Sequence, residues 1–327
     1  MLHNYYGTSP LRKILIFCGK VWLHTMIIWL LSGLTVILAL YSLWLIRKGG
    51  RRPFPQAWPV LLGGFSLGLF IYLFGSWVYL TVYLKYVFGI CWLLFLTGLF
   101  FGRRQRPAAP APRWKRGAYI SCSALLLLAC VLYFTGTTGR PDTVELAFPL
   151  KSGHYFVLQG GKGLPSNVFH FSLRGAVYAM DIVKLNRYGG RARKVFSRRL
   201  EDYDIFNDTV YAPCDGIVRR AYSDNPDNIP PAMDRGPRNT NQVLLEGADC
   251  YFFAAHLKMG SVIVREGQQV KQGQALGCVG NSGFSTEPHL HIQAHMKQAD
   301  VPWYKAKPLY MLFNGKGYLL NEVIDAK

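Results

Sequence analysis

The stretch N-S-G-F-S-T-E-P-H-L-H-I-Q, Asn281 to Gln293, decides the reading of the second half of this 327-residue chain. On a strand, residues two apart project from one face, so His289 and His291 point into a common cleft while Leu290 and Ile292 face a core. One imidazole can then bind a metal ion while its neighbour addresses a ligand of that ion. Taken alone, H-x-H is equally well read as two ordinary strand histidines. Around it, from Val144 onward, short apolar or alternating runs are broken by Gly, Pro, Asn and Asp, with no long 3.6-residue period. This predicts an all-β domain. Expected strands are Tyr155 to Gln159, Ala179 to Val183, Thr209 to Ala212, Gly216 to Tyr222, Gln242 to Glu246, Cys250 to His256, Ala275 to Val279 and His289 to Ala294. The Pro-, Asp- and Asn-rich stretch Ser223 to Asn241 is expected to be a long hairpin excursion that shapes a site.

The first half has a different composition, which places a boundary near residue 140. Residues 1–139 hold 14 Lys and Arg and no acidic residue, whereas residues 140–327 hold 23 basic and 18 acidic residues, a net +5. Four apolar stretches are long enough for a hydrocarbon core of about 30 Å: Val21 to Ile46, Pro59 to Leu80, Tyr83 to Gly102 and Gly117 to Thr135. The expected architecture is thus a bundle of four transmembrane α-helices (1–139) followed by an all-β domain (140–327). The basic loops at Arg47–Arg52 and Arg103–Arg116 predict cytoplasmic placement, which exports everything after about Gly136. Arg12, Lys13 and Lys20 oppose this, but Ile14 to Ile46 is too short for two crossings, so the two stronger loops prevail. The +19 total is therefore a topology signal, and no nucleic-acid partner is expected. Trp22, Trp44, Trp77 and Trp114 suit an interfacial belt, and Lys85 is the one charge expected in the outer turn. Gly64/Gly68 and Gly98/Gly102 have the G-x-x-x-G spacing for close helix approach, between spans two and three, in self-association or toward a membrane-protein partner.

The seven cysteines form no disulfide framework and no C-x-x-C; Cys214, Cys250 and Cys278 fall in the exported part. The spans hold no Asp or Glu, so they are expected to anchor the chain in the bilayer rather than conduct ions.

Further motifs accompany P-H-L-H: Y-A-M-D-I-V-K-L-N (Tyr178 to Asn186), V-Y-A-P-C-D-G-I-V (Val210 to Val218), A-A-H-L-K-M-G-S-V (Ala254 to Val262) and V-K-Q-G-Q-A-L-G-C-V-G-N-S-G (Val270 to Gly283). In this order they resemble the lysostaphin-like, LytM-type zinc metallopeptidases of bacteria, over roughly Gly153 to Lys297. The resemblance implies an antiparallel, barrel-sandwich-like β domain, one Zn²⁺ per chain, and peptidoglycan peptides as substrate. It implies Asp181 and His291 as two zinc ligands. The family's commonest third ligand, four residues before the Asp, falls on Val177; a subgroup has an N-x-H signature well upstream of Y-A-L-D, and N-V-F-H (Asn167 to His170) is matched to it. His170 is therefore the expected third ligand, with His154 as competitor. His256 and His289 are implied as the catalytic pair beside the metal, one to take a proton and one to stabilise an oxyanion or protonate the leaving amine.

Two histidines and one carboxylate leave the fourth position of tetrahedral zinc open, as hydrolysis requires. His295 is expected at the rim, Asp208 and Asp215 in solvated turns, and Ser282, Ser285 and Thr286 along the substrate groove. No G-x-S-x-G context supports a serine nucleophile. The resulting expectation is a multi-pass enzyme of the bacterial cytoplasmic membrane, its zinc endopeptidase domain outside and acting on wall cross-links. A non-catalytic wall-binding regulator of the same fold is the alternative. A lipoyl-type carrier, suggested by V-R-E-G-Q-Q-V-K-Q-G-Q-A-L-G, lacks a well-matched modifiable lysine, since Lys258 in H-L-K-M-G has unsuitable flanks.

Overall fold

A computed structural model describes residues 10–99, 112–233 and 239–326. Four helices come first, α1 (Pro10–Gly49), α2 (Phe54–Phe74), α3 (Val82–Thr97) and α4 (Arg113–Thr135). Among the described residues three of them, not the expected four, are long and apolar enough to cross a membrane: Trp22–Gly49 within α1, all of α2 and all of α4. The expectation fails at α3. Hydropathy continues past residue 97, but the helix closes there on Gly98, and 16 residues rise only about 24 Å against a core of about 30 Å. Gly102 lies outside the described residues.

Leu30, Ile37, Leu40, Leu125 and Val131 are among many large apolar side chains that the bundle leaves exposed, as helices apolar all round require of a hydrocarbon solvent. The glycine spacing is used inside the bundle. A Cβ on Gly64 would meet the α1 backbone at Ile46 and Ser42, and one on Gly68 would strike the Trp92 ring of α3. Trp22, Trp44 and Trp114 are exposed as expected of a belt, but Trp77 is 2% exposed and donates to the Ile71 carbonyl at 2.9 Å.

The β part comprises β1 (Thr143–Glu145), β2 (Gly153–Gln159), the short helix α5 (Val168–Phe171), β3 (Met180–Lys184), β4 (Thr209–Tyr211), β5 (Gly216–Tyr222), β6 (Gln242–Glu246), β7 (Cys250–Ala255), β8 (Gln269–Val270), β9 (Ala275–Cys278), β10 (Leu290–Met296), β11 (Pro308–Leu312) and β12 (Val323–Ala326). One ten-stranded sheet runs β12-β2-β3-β10-β7-β6-β5-β8; β11 pairs with β10 and also, in parallel, with β1, and β4 and β9 form a separate ladder. Apart from that parallel pair the ladders are antiparallel. Alternation gives the sheet its inner face: Leu290, Ile292 and Ala294 of β10 join Met180 and Ile182 of β3 and Phe252 and Ala254 of β7 in one core. The opposite face of the same strands carries Asp181, His291, Gln293 and His295. The excursion between β5 and β6 folds back on the segment that leads into P-H-L-H, through a bridge between Asp227 and Ser282.

The halves are packed together. Val78 and Val82 share an apolar cluster with Phe156 and Val183, and Leu73, Cys130 and Tyr133 share another with Leu319 and Leu320. Lys85, expected in a turn, lies in the first turn of α3, 6% exposed, and donates to the Asn321 carbonyl at 2.7 Å. The Asn321 amide donates to the carbonyls of Leu73 (2.8 Å) and Gly75 (3.0 Å) at the end of α2. A helix end leaves such carbonyls unpaired, so Asn321 supplies a cap from the other half of the chain. Asn321→Ala is expected to cost about 1–3 kcal/mol. Hydrogen exchange should show faster exchange of the amides around residues 319–322, and unchanged exchange there would remove this role.

Candidate metal centre

β10 lies between β3 and β7, and its register places His291 opposite Asp181 on one side and Ala255 on the other. Directly opposed residues of antiparallel strands bring their Cβ atoms to about 4.5–5.5 Å, so these pairings alone fix a carboxylate against an imidazole. His256 follows Ala255 with φ of 62°, a left-handed conformation that turns the chain out of β7 and returns the ring toward His289 and His291, with centroids at 4.7 and 5.7 Å. α5 contributes His170.

The resulting cluster centres on Asp181 Oδ1. It lies 3.0 Å from His291 Nδ1, 3.4 Å from His170 Nε2 and 3.6 Å from His289 Nε2. His170, Asp181 and His291 can each offer one donor atom, all within 4.8 Å of one another. Zinc–ligand bonds of about 2.0–2.1 Å in a tetrahedron separate donors by about 3.3 Å, close to the distances of 3.0 and 3.4 Å from Asp181 to His291 and His170, and two imidazoles with one carboxylate suit zinc chemically. Burial alone would raise the Asp181 pKa; attraction to His170 and His289, with hydrogen bonds from the facing nitrogens of His170 and His291 where these carry a proton instead of a metal ion, outweighs it and holds the carboxyl well below its usual range. Gln159, paired opposite Asp181 across a bulge, keeps a buried Oε1 with no hydrogen-bond partner among the described residues.

Each histidine is held through its remote nitrogen, and the tautomers below are assigned from that network. His170 Nδ1 donates to Asn167 Oδ1 at 2.8 Å, and the buried Asn167 amide donates to the carbonyls of Val177 and Ala179. Such outer partners fix ring orientation and raise ligand basicity. His291 Nε2 donates to Gln293 Oε1 (3.1 Å), the Gln293 amide donates to His295 Nε2 (3.1 Å), and His295 Nδ1 donates to the Ala306 carbonyl (3.1 Å). His295 is thus not the expected rim residue. It is fully buried, and burial lowers its pKa, which keeps the neutral form this relay needs. His256 Nδ1 donates to the Ser282 carbonyl at 2.8 Å, leaving Nε2 as the acceptor. Burial first, then the neighbouring His289 and His291, hold its pKa well below the histidine range. His289 Nδ1 donates to the Glu287 carbonyl (2.9 Å) and lies 3.1 Å from Ser285 Oγ.

Other expectations are corrected. Ser282 and Ser285 are buried behind the histidines rather than along a groove, because the Asn228 amide ties residues 283 and 285 to the β5–β6 excursion. Asp208 is only partly exposed and accepts from the Tyr155 hydroxyl (2.8 Å) and pairs with Lys184 (3.0 Å), while Asp215 is exposed as expected and pairs with Lys271. Neither addresses a histidine. His154 stands apart from the cluster, exposed and paired with Asp325 at 2.6 Å. Cys214, Cys250 and Cys278 are free.

Two histidines and a carboxylate converging beside the polar face of the sheet, with two more histidines next to them, make a candidate metal site. Residues 202–302 match the profile of Peptidase family M23, and this part of the chain is a Peptidase M23 domain of the LytM/lysostaphin type. That segment contains His256, His289 and His291; His170 and Asp181 precede it. The chain is 26% identical over 149 residues to an uncharacterized metalloprotease of Haemophilus influenzae, covering 44% of this chain and 28% of that one. It is 33% identical over 98 residues to the peptidoglycan DD-endopeptidase ShyA of Vibrio cholerae, covering 30% and 20%. The chain therefore spans less than a third of either relative. Lysostaphin from Staphylococcus simulans aligns with a TM-score of 0.29 at 20% identity, over 47% of each chain.

Proposed function

We propose that this protein is a membrane-anchored zinc metalloendopeptidase that hydrolyses peptide bonds of bacterial peptidoglycan, in stem-peptide cross-links or cross-bridges. The observation that carries the reading is the convergence of His170, Asp181 and His291 within 4.8 Å. Zinc bound there supplies Lewis-acid activation of water and of the scissile carbonyl. The chain's own residues do the rest. Neutral His256 offers Nε2 to a proton, and His289, oriented by the Glu287 carbonyl, offers its Nε2 beside it, the two ring centroids 4.7 Å apart. Asn167 and the Gln293–His295 relay hold the ligands so that little reorganisation accompanies binding. The peptidoglycan assignment draws on the DD-endopeptidase relative.

The same reading places residues 1–139 in the cytoplasmic membrane as a multi-pass anchor and residues 140–327 outside. In its support, the end of α2, the start of α3 and the end of α4 all touch the β domain, while the basic segments at 47–52 and 113–116 lie at the remote ends.

The purified full chain in detergent micelles should contain one zinc and open cross-linked muropeptides in a chelator-sensitive way, read by mass spectrometry of the products. A zinc-loaded chain that leaves several wall chemistries intact supports the non-catalytic regulator instead. His289→Ala should keep zinc and lose about 10²–10⁴-fold in turnover.

A further inference from the structure

Between α1, α2 and α4, at the end of the bundle remote from the sheet, lies a cavity of about 480 Å³, within the range of about 300–1,000 Å³ for small-molecule sites. Leu45, Leu67 and Leu126 make its wall apolar, and Lys48 and Lys115 both line it. Arg52 lies within Coulomb range of Lys48. These cations have no carboxylate in their own half of the chain, because no Asp or Glu precedes Asp142. Their described neighbours are ring faces, Trp44 at 4.3 Å from Lys48 and Trp114 at 5.3 Å from Lys115.

A second observation points to a ligand. Ser123, on the same lining, is 1% exposed, and its hydroxyl has no hydrogen-bond partner among the described residues. A helical serine can bond back to a carbonyl one turn earlier, as Ser66 across the cavity does to Gly63 at 3.3 Å. An unpaired hydroxyl facing hydrocarbon is costly unless something entering the cavity accepts from it.

We propose that this cavity binds one anionic phospholipid of the surrounding leaflet. Its phosphate sits between Lys48 and Lys115, an acyl chain lies along Leu45, Leu67 and Leu126, and an ester carbonyl accepts from Ser123. Ser123 is two helical turns beyond Lys115, about 12 Å along α4, so head and ester meet the wall in the order a phospholipid presents them. A zwitterionic lipid would bring a second cation to the lysines. A free anion would leave the apolar wall and Ser123 unsatisfied. The inference needs the bundle to lie in a bilayer but is independent of peptidase activity.

The test is native mass spectrometry of the full chain released from nanodiscs of equimolar phosphatidylglycerol and phosphatidylcholine. The expected result is one retained phosphatidylglycerol per chain, favoured over phosphatidylcholine on the order of tenfold. Lys48→Gln with Lys115→Gln should bring the ratio to about one, Ser123→Leu should reduce retention of either lipid, and Arg140→Gln, at the sheet end, should change neither. Zinc content and the thermal melt report whether the variants fold; if the double variant does not, Lys115→Gln alone, on the exposed first turn of α4, should show a reduced preference. Equal retention of the two lipids by the unaltered chain overturns the proposal. So does a preference that survives the lysine replacements, or displacement of the lipid by inorganic phosphate, which would mark a free-anion site.

Discussion

Asp181→Ala is expected to remove zinc and turnover together. Asp181 Oδ1 is the atom on which the cluster closes, with His291, His170 and His289 nitrogens at 3.0, 3.4 and 3.6 Å. Its carboxylate is held ionised against burial by those same imidazoles. Without it, neutral donors alone face a divalent cation, and nothing offsets the ion's charge in a site that is largely out of water. Loss of outer partners of metal ligands costs about 10–100-fold in affinity or activity, so loss of a charged ligand should exceed about 100-fold in both. Elemental analysis of the purified variant reads the first effect and muropeptide digestion the second. The sheet should survive, since Asp181 lies on the polar face while Met180 and Ile182 hold the core. A variant that keeps full zinc occupancy would refute this ligand assignment, and one that keeps zinc but loses turnover would move Asp181 to a proton-handling role.

How much of this site was legible follows from what each residue depends on. His291 and Asp181 sit on strands, and His289 directly precedes one, whose alternation is written in Leu290, Ile292, Met180 and Ile182, so face and neighbour follow from the two-residue period. The implied His170 and His256 also fall in the cluster, one on a short helix and one at a left-handed corner. The period also put His295 on the face of His291, yet it suggested exposure. The strand continues under Trp303 and the Ala306 carbonyl, which cover that end of the sheet, and Gln293 between them turns the row into a hydrogen-bond relay. β1, β11 and β12 escaped notice because three to five residues carry too little periodicity, and they owe their order to neighbouring strands. The third span, Tyr83 to Gly102, was overcounted for the converse reason: hydropathy is a property of composition, whereas the end of α3 is set by backbone geometry at Gly98. The contacts that join the two halves, such as Asn321 with the end of α2, link residues hundreds of positions apart and have no local signature.

The largest stability effect is expected from Arg191→Ala, at another such contact. Arg191 is 1% exposed and grips Glu287 through two hydrogen bonds, Nε to Oε1 at 2.8 Å and Nη2 to Oε2 at 2.7 Å. Its guanidinium also stacks over Tyr79, in the turn between α2 and α3, at 4.2 Å from the ring centroid, and donates to the Val195 carbonyl at 3.1 Å. Glu287 in turn gives its own carbonyl to His289, so one ion pair ties the turn between α2 and α3 to the segment that orients His289. Removing Arg191 strands a buried carboxylate, which costs about 3–5 kcal/mol. Burial pushes the Glu287 pKa up and Arg191 more than reverses it. In the unaltered chain the folded value is depressed, so Glu287 contributes stability above its unfolded pKa and loses it as pH falls through the folded value. Without the arginine burial prevails and the sign inverts, because the group then folds best when protonated. The deficit of Arg191→Ala should therefore shrink in mild acid and grow toward neutral pH. Melting curves across that range check both size and slope. Replacing the pair by Arg191→Met with Glu287→Leu should recover most of the loss, since apolar substitutes for a buried ion pair are often neutral or stabilising. A pH-independent deficit, or no recovery in the double variant, would mean that Arg191 acts through its contact with Tyr79 rather than through Glu287.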